Sequence, residues 1–198
     1  MAKKNKGFTL VEMVVVVAIF AILLGVLIPS LNSILGFRVN RATKALSSAL
    51  ERTKTEAMGR LVGEMKLEKK KDGYYLSYYL DRGKKSGVVQ EQEEKIAPSN
   101  LKISYQTEDK ISHGLSEGDS LILTLDRENG GFRKIQTEAV TSEEVTMLLE
   151  ENKSLTFHDG EHYCEKITVT GGIRQKLIEL EQETGSYTVT ASMREEGS

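Results

Sequence analysis

The feature that most limits what this chain can fold into lies near its start. From Phe8 to Phe37 the only ionisable side chain is Glu12, and from Met13 to Ile28 the residues are almost all Val, Ile, Leu, Ala and Phe. A membrane-spanning helix needs about 20 consecutive apolar residues, and this run supplies them. Lys3, Lys4 and Lys6 precede it, so the positive-inside rule puts the start of the chain in the cytoplasm and everything beyond Phe37 on the other side. A carboxylate within such a helix costs on the order of a few kcal/mol, less near an end. Glu12 therefore requires headgroup depth or a partner, and its position alone leaves both open.

A secretory signal peptide shares the basic start. It would want a shorter apolar core followed by a small-x-small cleavage site, and Pro29-Ser30-Leu31-Asn32 offers none. The run Gly7-Phe8-Thr9-Leu10-Val11-Glu12, behind its basic leader, instead resembles the amino terminus of type IV prepilins and pseudopilins at every position of that family's motif. The resemblance implies cleavage between Gly7 and Phe8 by a membrane prepilin peptidase, then N-methylation of Phe8. It also implies a partner for Glu12, the new amino group of Phe8 on a neighbouring subunit. Other pilins or pseudopilins, an assembly platform protein and, indirectly, its ATPase are the partners it brings. Pro29 interrupts the helical pattern; it reads either as a plain tilt-adjusting kink or, by the resemblance, as the place where the helix bends on assembly.

Past Phe37 the pattern becomes amphipathic. Val39, Ala42, Leu46, Ala49, Leu50, Thr53, Ala57 and Leu61 recur at steps of three and four, with Arg38, Arg41, Lys44, Glu51, Arg52, Lys54 and Glu56 largely elsewhere. Gly59 and Gly63 then weaken the helix and the period changes to two. Met65, Leu67 and Lys69, a turn at Asp72-Gly73 and the run from Tyr74 to Leu80 predict a hairpin, in which the tyrosines serve packing rather than binding. Asp81 to Asn100 reads as a polar loop with a short edge strand from Val88; its cluster Glu91, Glu93, Glu94 is a solvated face or, less simply, a cation site. Alternation at Leu101–Tyr105 and Leu121–Leu125, a turn at Glu128-Asn129-Gly130-Gly131 and the arm Phe132–Ile135 predict further strands and a second hairpin. Thr141 to Asn152 has a helical look. Leu155–Phe157, Ile167–Val169, Lys176–Leu180 and Tyr187–Val189, with turns at Asp159-Gly160 and Thr184-Gly185-Ser186, predict a closing meander. The order Leu155-Thr156-Phe157, Gly160, Ile167–Val169, Glu183-Thr184-Gly185 is also loosely similar to the head of minor pseudopilins of the secretion-system H type.

Composition narrows the function. With 27 Lys and Arg against 29 Asp and Glu, the net charge is −2, which lacks the basic excess of a general nucleic-acid binder. Cys164 is the single cysteine, so no intrachain disulfide forms, a departure from many pilins. Asp126, Glu128 and Asn129 before Gly130 are explained by an Asn-Gly turn better than by a calcium loop, which needs a closing Glu. His158, His162 and Cys164 lack the fourth ligand of a zinc site. No phosphate loop, nucleophile elbow or acid and base pair is present, so no enzyme, metal or cofactor is expected.

The expected fold is α+β and pilin-like, a long N-terminal helix with a membrane half and an amphipathic half packed on an antiparallel β-sheet head. Its parts are a cleaved leader at 1–7, a transmembrane and assembly half at 8–37, an amphipathic half at 38–60 and an extracytoplasmic head at 61–198. The expected function is a structural subunit, pseudopilin or minor pilin, of a type IV filament machine for secretion, pilus assembly or DNA uptake. The competing expectation is a single-pass anchored binding or adhesin domain that does not polymerise.

Overall fold

In the computed structural model the described chain path covers residues 8–59, 62–81, 89–90, 93–140 and 157–193, with the side chains of 26–32, 62, 80–81, 89–90 and 193 not described. One helix, α1, runs Leu10–Gly59, 50 residues or about 75 Å. It passes through position 29 without a break in the helical path. Among the described residues no helix is long and apolar enough to cross a membrane, so the described helix does not by itself bear out the span expected over 8–37.

The second half of α1 carries the core. Val39, Ala42, Leu46, Ala49, Leu50, Thr53 and Ala57 are all buried, as the three-four periodicity predicts. Thr43 joins them; the Thr43 and Thr53 hydroxyls donate to the carbonyls of Val39 and Ala49, each at 2.8 Å. These back-bonds satisfy two polar groups that burial would otherwise leave costly.

Two antiparallel sheets flank this stripe. The first holds β1 (Val62–Lys70), β2 (Gly73–Asp81), β3 (Val89–Gln90), β4 (Glu94–Pro98) and β7 (Ser120–Thr124); β1 pairs with β2 and β7, while β3 and β4 line the other edge of β2. The second holds β5 (Lys102–Thr107), β6 (Ser112–Gly114), β8 (Cys164–Gly171), β9 (Arg174–Glu181) and β10 (Ser186–Met193), in the order β10-β9-β8-β5-β6. Met65, Leu67, Tyr74, Leu76, Leu121 and Leu123 face the helix from the first sheet, and Ile103, Ile167, Val169 and Ile178 from the second. Burying each such aliphatic side chain is worth about 1.5–3 kcal/mol. Tyr74, in the run read as packing, is buried, and its hydroxyl accepts the Ile103 amide hydrogen at 3.0 Å, joining the sheets.

The hairpin turns on Lys71 and Asp72, between the paired Lys70 and Gly73, one residue before the expected place. Gly73 serves space rather than turn conformation: a Cβ there would lie 2.3 Å from the Ala97 carbonyl oxygen of β4. The short edge strand expected from Val88 is β3; β4 corrects the rest of the polar loop expected over 81–100. Ile96 and Ala97 alone of its residues are buried, too short a period for sequence to reveal. The second hairpin is also looser than expected. Its return arm pairs with β7 and Leu125 through the bridges Leu125↔Phe132 and Ile122↔Gln136, while the Phe132 amide donates to the Gln182 carbonyl, in the turn after β9, at 2.8 Å. The meander β8-β9-β10 forms as expected, with Gly185 at φ 60 in its last turn. The stretch 141–152, with its helical look, and the strand residues Leu155 and Thr156 lie outside the described residues, and Phe157, expected to continue that strand, is not in one.

The far face of the first sheet holds a feature that alternation did not announce. Glu64, 1% exposed, sits there with Ile122, Thr124, Gln136 and Val140, and its Oε1 accepts the Val140 amide hydrogen at 3.2 Å. The segment 133–140 thus covers a face that periodicity assigns to solvent.

Candidate functional site

Helix α1 begins where the sequence places its chemistry. Thr9 is the residue before the first helical one, and its carbonyl accepts the Met13 amide hydrogen at 3.2 Å. Its hydroxyl accepts the Glu12 amide hydrogen at 3.2 Å, while Glu12 Oε2 accepts from both the Thr9 amide and the Thr9 hydroxyl at 2.8 Å. This is a capping box, Thr at the cap and Glu three residues on, each satisfying the other's backbone donor. The acidic side chain also lies at the positive end of the helix dipole.

The box gives Glu12 a local role that requires no second molecule, and sequence reasoning missed it although Thr-x-x-Glu was there to read. It engages one carboxylate oxygen. Among the described residues no bond to Oε1 is found, so that oxygen is placed to take a second donor. Phe8, 82% exposed, stands one residue before the cap. Gly7 lies outside the described residues, and for Pro29 only the helical path is described.

Beyond Glu12, the large apolar side chains from Met13 to Leu24 are exposed on every side of the helix. A helix apolar all round is built to be surrounded, and among the described residues none covers it. Residues 2–28 match the prokaryotic N-terminal methylation motif. That motif is the type IV prepilin-like leader, and it supports a type IV pilin-like subunit with a membrane-anchored N-terminus. No curated protein and no solved structure matches the chain.

The remaining candidate residues do not converge. Cys164 is 2% exposed, and burial pushes its thiol up to about 12, which leaves it protonated and unreactive. The His162 ring lies on the surface near Glu108 and Glu161. Asp126 accepts the Glu128 amide hydrogen and Asn129 that of Gly131, and the other Asp126 oxygen pairs with Arg133 at 3.5 Å, so both side chains serve the turn and its return arm. Glu93 pairs with Lys70. Among the described residues no group of His, Cys, Asp and Glu is arranged to hold a metal ion. Asp159 accepts from the Arg133 guanidinium and from Gln136 Nε2. Burial pushes its carboxyl up, but these hydrogen bonds outweigh it and hold it below the usual carboxylate range. That cluster fastens the 133–140 arm to the chain near Asp159, a structural use.

Proposed function

We propose that the chain is a structural subunit of a type IV filament machine, a pseudopilin or minor pilin serving secretion, pilus assembly or DNA uptake. The observation that carries this reading is the leader motif at 2–28 running into a helix whose apolar side chains from Met13 to Leu24 are exposed among the described residues. In this reading the leader is cytoplasmic, residues 8–37 lie in the membrane and the head lies outside. A prepilin peptidase cuts between Gly7 and Phe8, and Phe8 is methylated. A platform protein and its ATPase then draw the subunit into a bundle in which apolar helices bury one another. Glu12 keeps its cap through Oε2 and offers Oε1 to the amino group of a neighbour's Phe8. The lone, buried Cys164 in place of a disulfide-closed loop favours a minor subunit or a pseudopilin.

The capping box gives the competing reading its footing, since it satisfies Glu12 in a chain that never polymerises. Intact-mass analysis of the chain from assembly-competent cells separates the two. A product beginning at methylated Phe8 is expected, and Gly7→Val should abolish it; a wild-type chain retaining Met1 to Gly7 would overturn the filament reading. Glu12→Ala should be cleaved and inserted yet fail to enter filaments, as read by shearing and blotting.

A further inference from the structure

Where α1 enters the head, two grooves flank the exposed Phe37. One, about 350 Å³, is bounded by Ile34, Arg38, Arg41 and Lys95; the other, about 420 Å³, by Arg174 and Lys176. Neither lining contains an Asp or Glu, in a chain whose acidic residues outnumber its basic ones. Lys95 is held by Asp72. Arg38, Arg41 and Arg174 have no ion-pair partner among the described residues, and the stem of Arg174 lies along the helix, its Cγ 3.5 Å from where a Cβ on Gly36 would stand. The result is a collar of guanidinium groups, unpaired among the described residues, around two exposed apolar side chains, Phe37 at 69% and Ile34 at 47%.

From this collar we infer that the underside of the head docks on anionic phospholipid headgroups, the guanidinium groups meeting phosphates while Ile34 and Phe37 enter the acyl boundary. The inference rests on the membrane reading above. Cations above apolar groups match the depth profile of a lipid interface, and arginine suits phosphate through paired N–H donors. The positive-inside rule disfavours basic residues on the translocated flank of a span. Arg38, Arg41 and Lys44 break it in quick succession, which a task at the outer surface explains.

The full-length chain is placed in nanodiscs of phosphatidylcholine alone or of an equimolar mixture with phosphatidylglycerol. A donor dye sits on Ser99→Cys, in the exposed turn beside Pro98, with Cys164 too buried to label; the acceptor is on lipid headgroups. Energy transfer should be higher in the mixed discs and fall with added salt. Each lost cation should reduce the docked population about fivefold, the factor equivalent to about 1 kcal/mol per basic residue near an anionic surface, and Arg38→Glu with Arg41→Glu should remove the lipid dependence. Insertion with equal transfer in both lipids would overturn the proposal alone. A gain that follows protein concentration rather than lipid charge would assign the collar to a second protein and overturn it too. A chain that elutes apart from the discs would overturn the membrane reading together with the docking.

Discussion

The two halves of α1 are one uninterrupted helix and obey opposite rules. From Met13 to Leu24 the apolar side chains are exposed all round, whereas from Val39 to Ala57 they form one stripe buried against two sheets. None of the residues from Met13 to Leu24 belongs to the head's core among the described residues, and their apolar character has meaning against something outside it. The second half is the head's central beam, its apolar stripe answered within the chain by the two sheets. A helix can thus divide its sequence between a task outside the chain and an internal folding task, with the boundary near Phe37.

Substitution in each half tests that division. Leu46→Ala should destabilise the head by about 2–5 kcal/mol, read by denaturant unfolding, while Val16→Ala should leave the same transition unmoved. A shift from Val16→Ala would break the contrast, because it would require the first half to pack on the head. Next in size is Gly63→Ala at the far end of the stripe. A Cβ there would stand 2.5 Å from the Ala57 backbone nitrogen, an overpacking that should cost about 1–3 kcal/mol by the same measurement.

Within the first half, Thr9→Ala removes the cap and leaves the Glu12 carboxylate. It should cost about 1 kcal/mol, seen as faster hydrogen exchange in the first turn, with assembly kept. Assembly lost equally in Thr9→Ala and Glu12→Ala would make the cap, not the neighbour's amine, the reason for Glu12. The smallest effect belongs to Asp159. Its carboxyl is held below the ordinary value of about 4, so its stabilisation is present above that pH and is lost as pH falls through the lower folded value. Asp159→Asn should flatten the acid limb of a melting temperature against pH profile, and an unchanged limb would remove Asp159 from that role.

Legibility follows the same division. The stripe from Val39 to Ala57 and the alternation in β1, β2, β5 and β8 to β10 were readable because each element buries a single face with a regular period. The strand β4 and the far face of the first sheet were not. Ile96 and Ala97 are adjacent rather than alternating, and Glu64 is buried by an arm distant in sequence, which no local period reports. At the amino terminus Gly7, Phe8 and Glu12 are legible as a motif, and the Thr-x-x-Glu spacing of the cap is legible too, but both uses fall on the one carboxylate of Glu12 and the sequence does not separate them.

The return of the chain at Gly59 has a mechanical side. Gly63 lies against Ala57, and the other end of the first hairpin, through Gly73 paired with Pro98, reaches the groove beside Phe37. Strand β1 therefore runs back along the helix rather than away from it. Tension applied at the amino terminus is borne in shear along the whole stripe, where many side chains resist together, instead of peeling contacts one at a time. Such a head can be hauled by its helix and arrive folded.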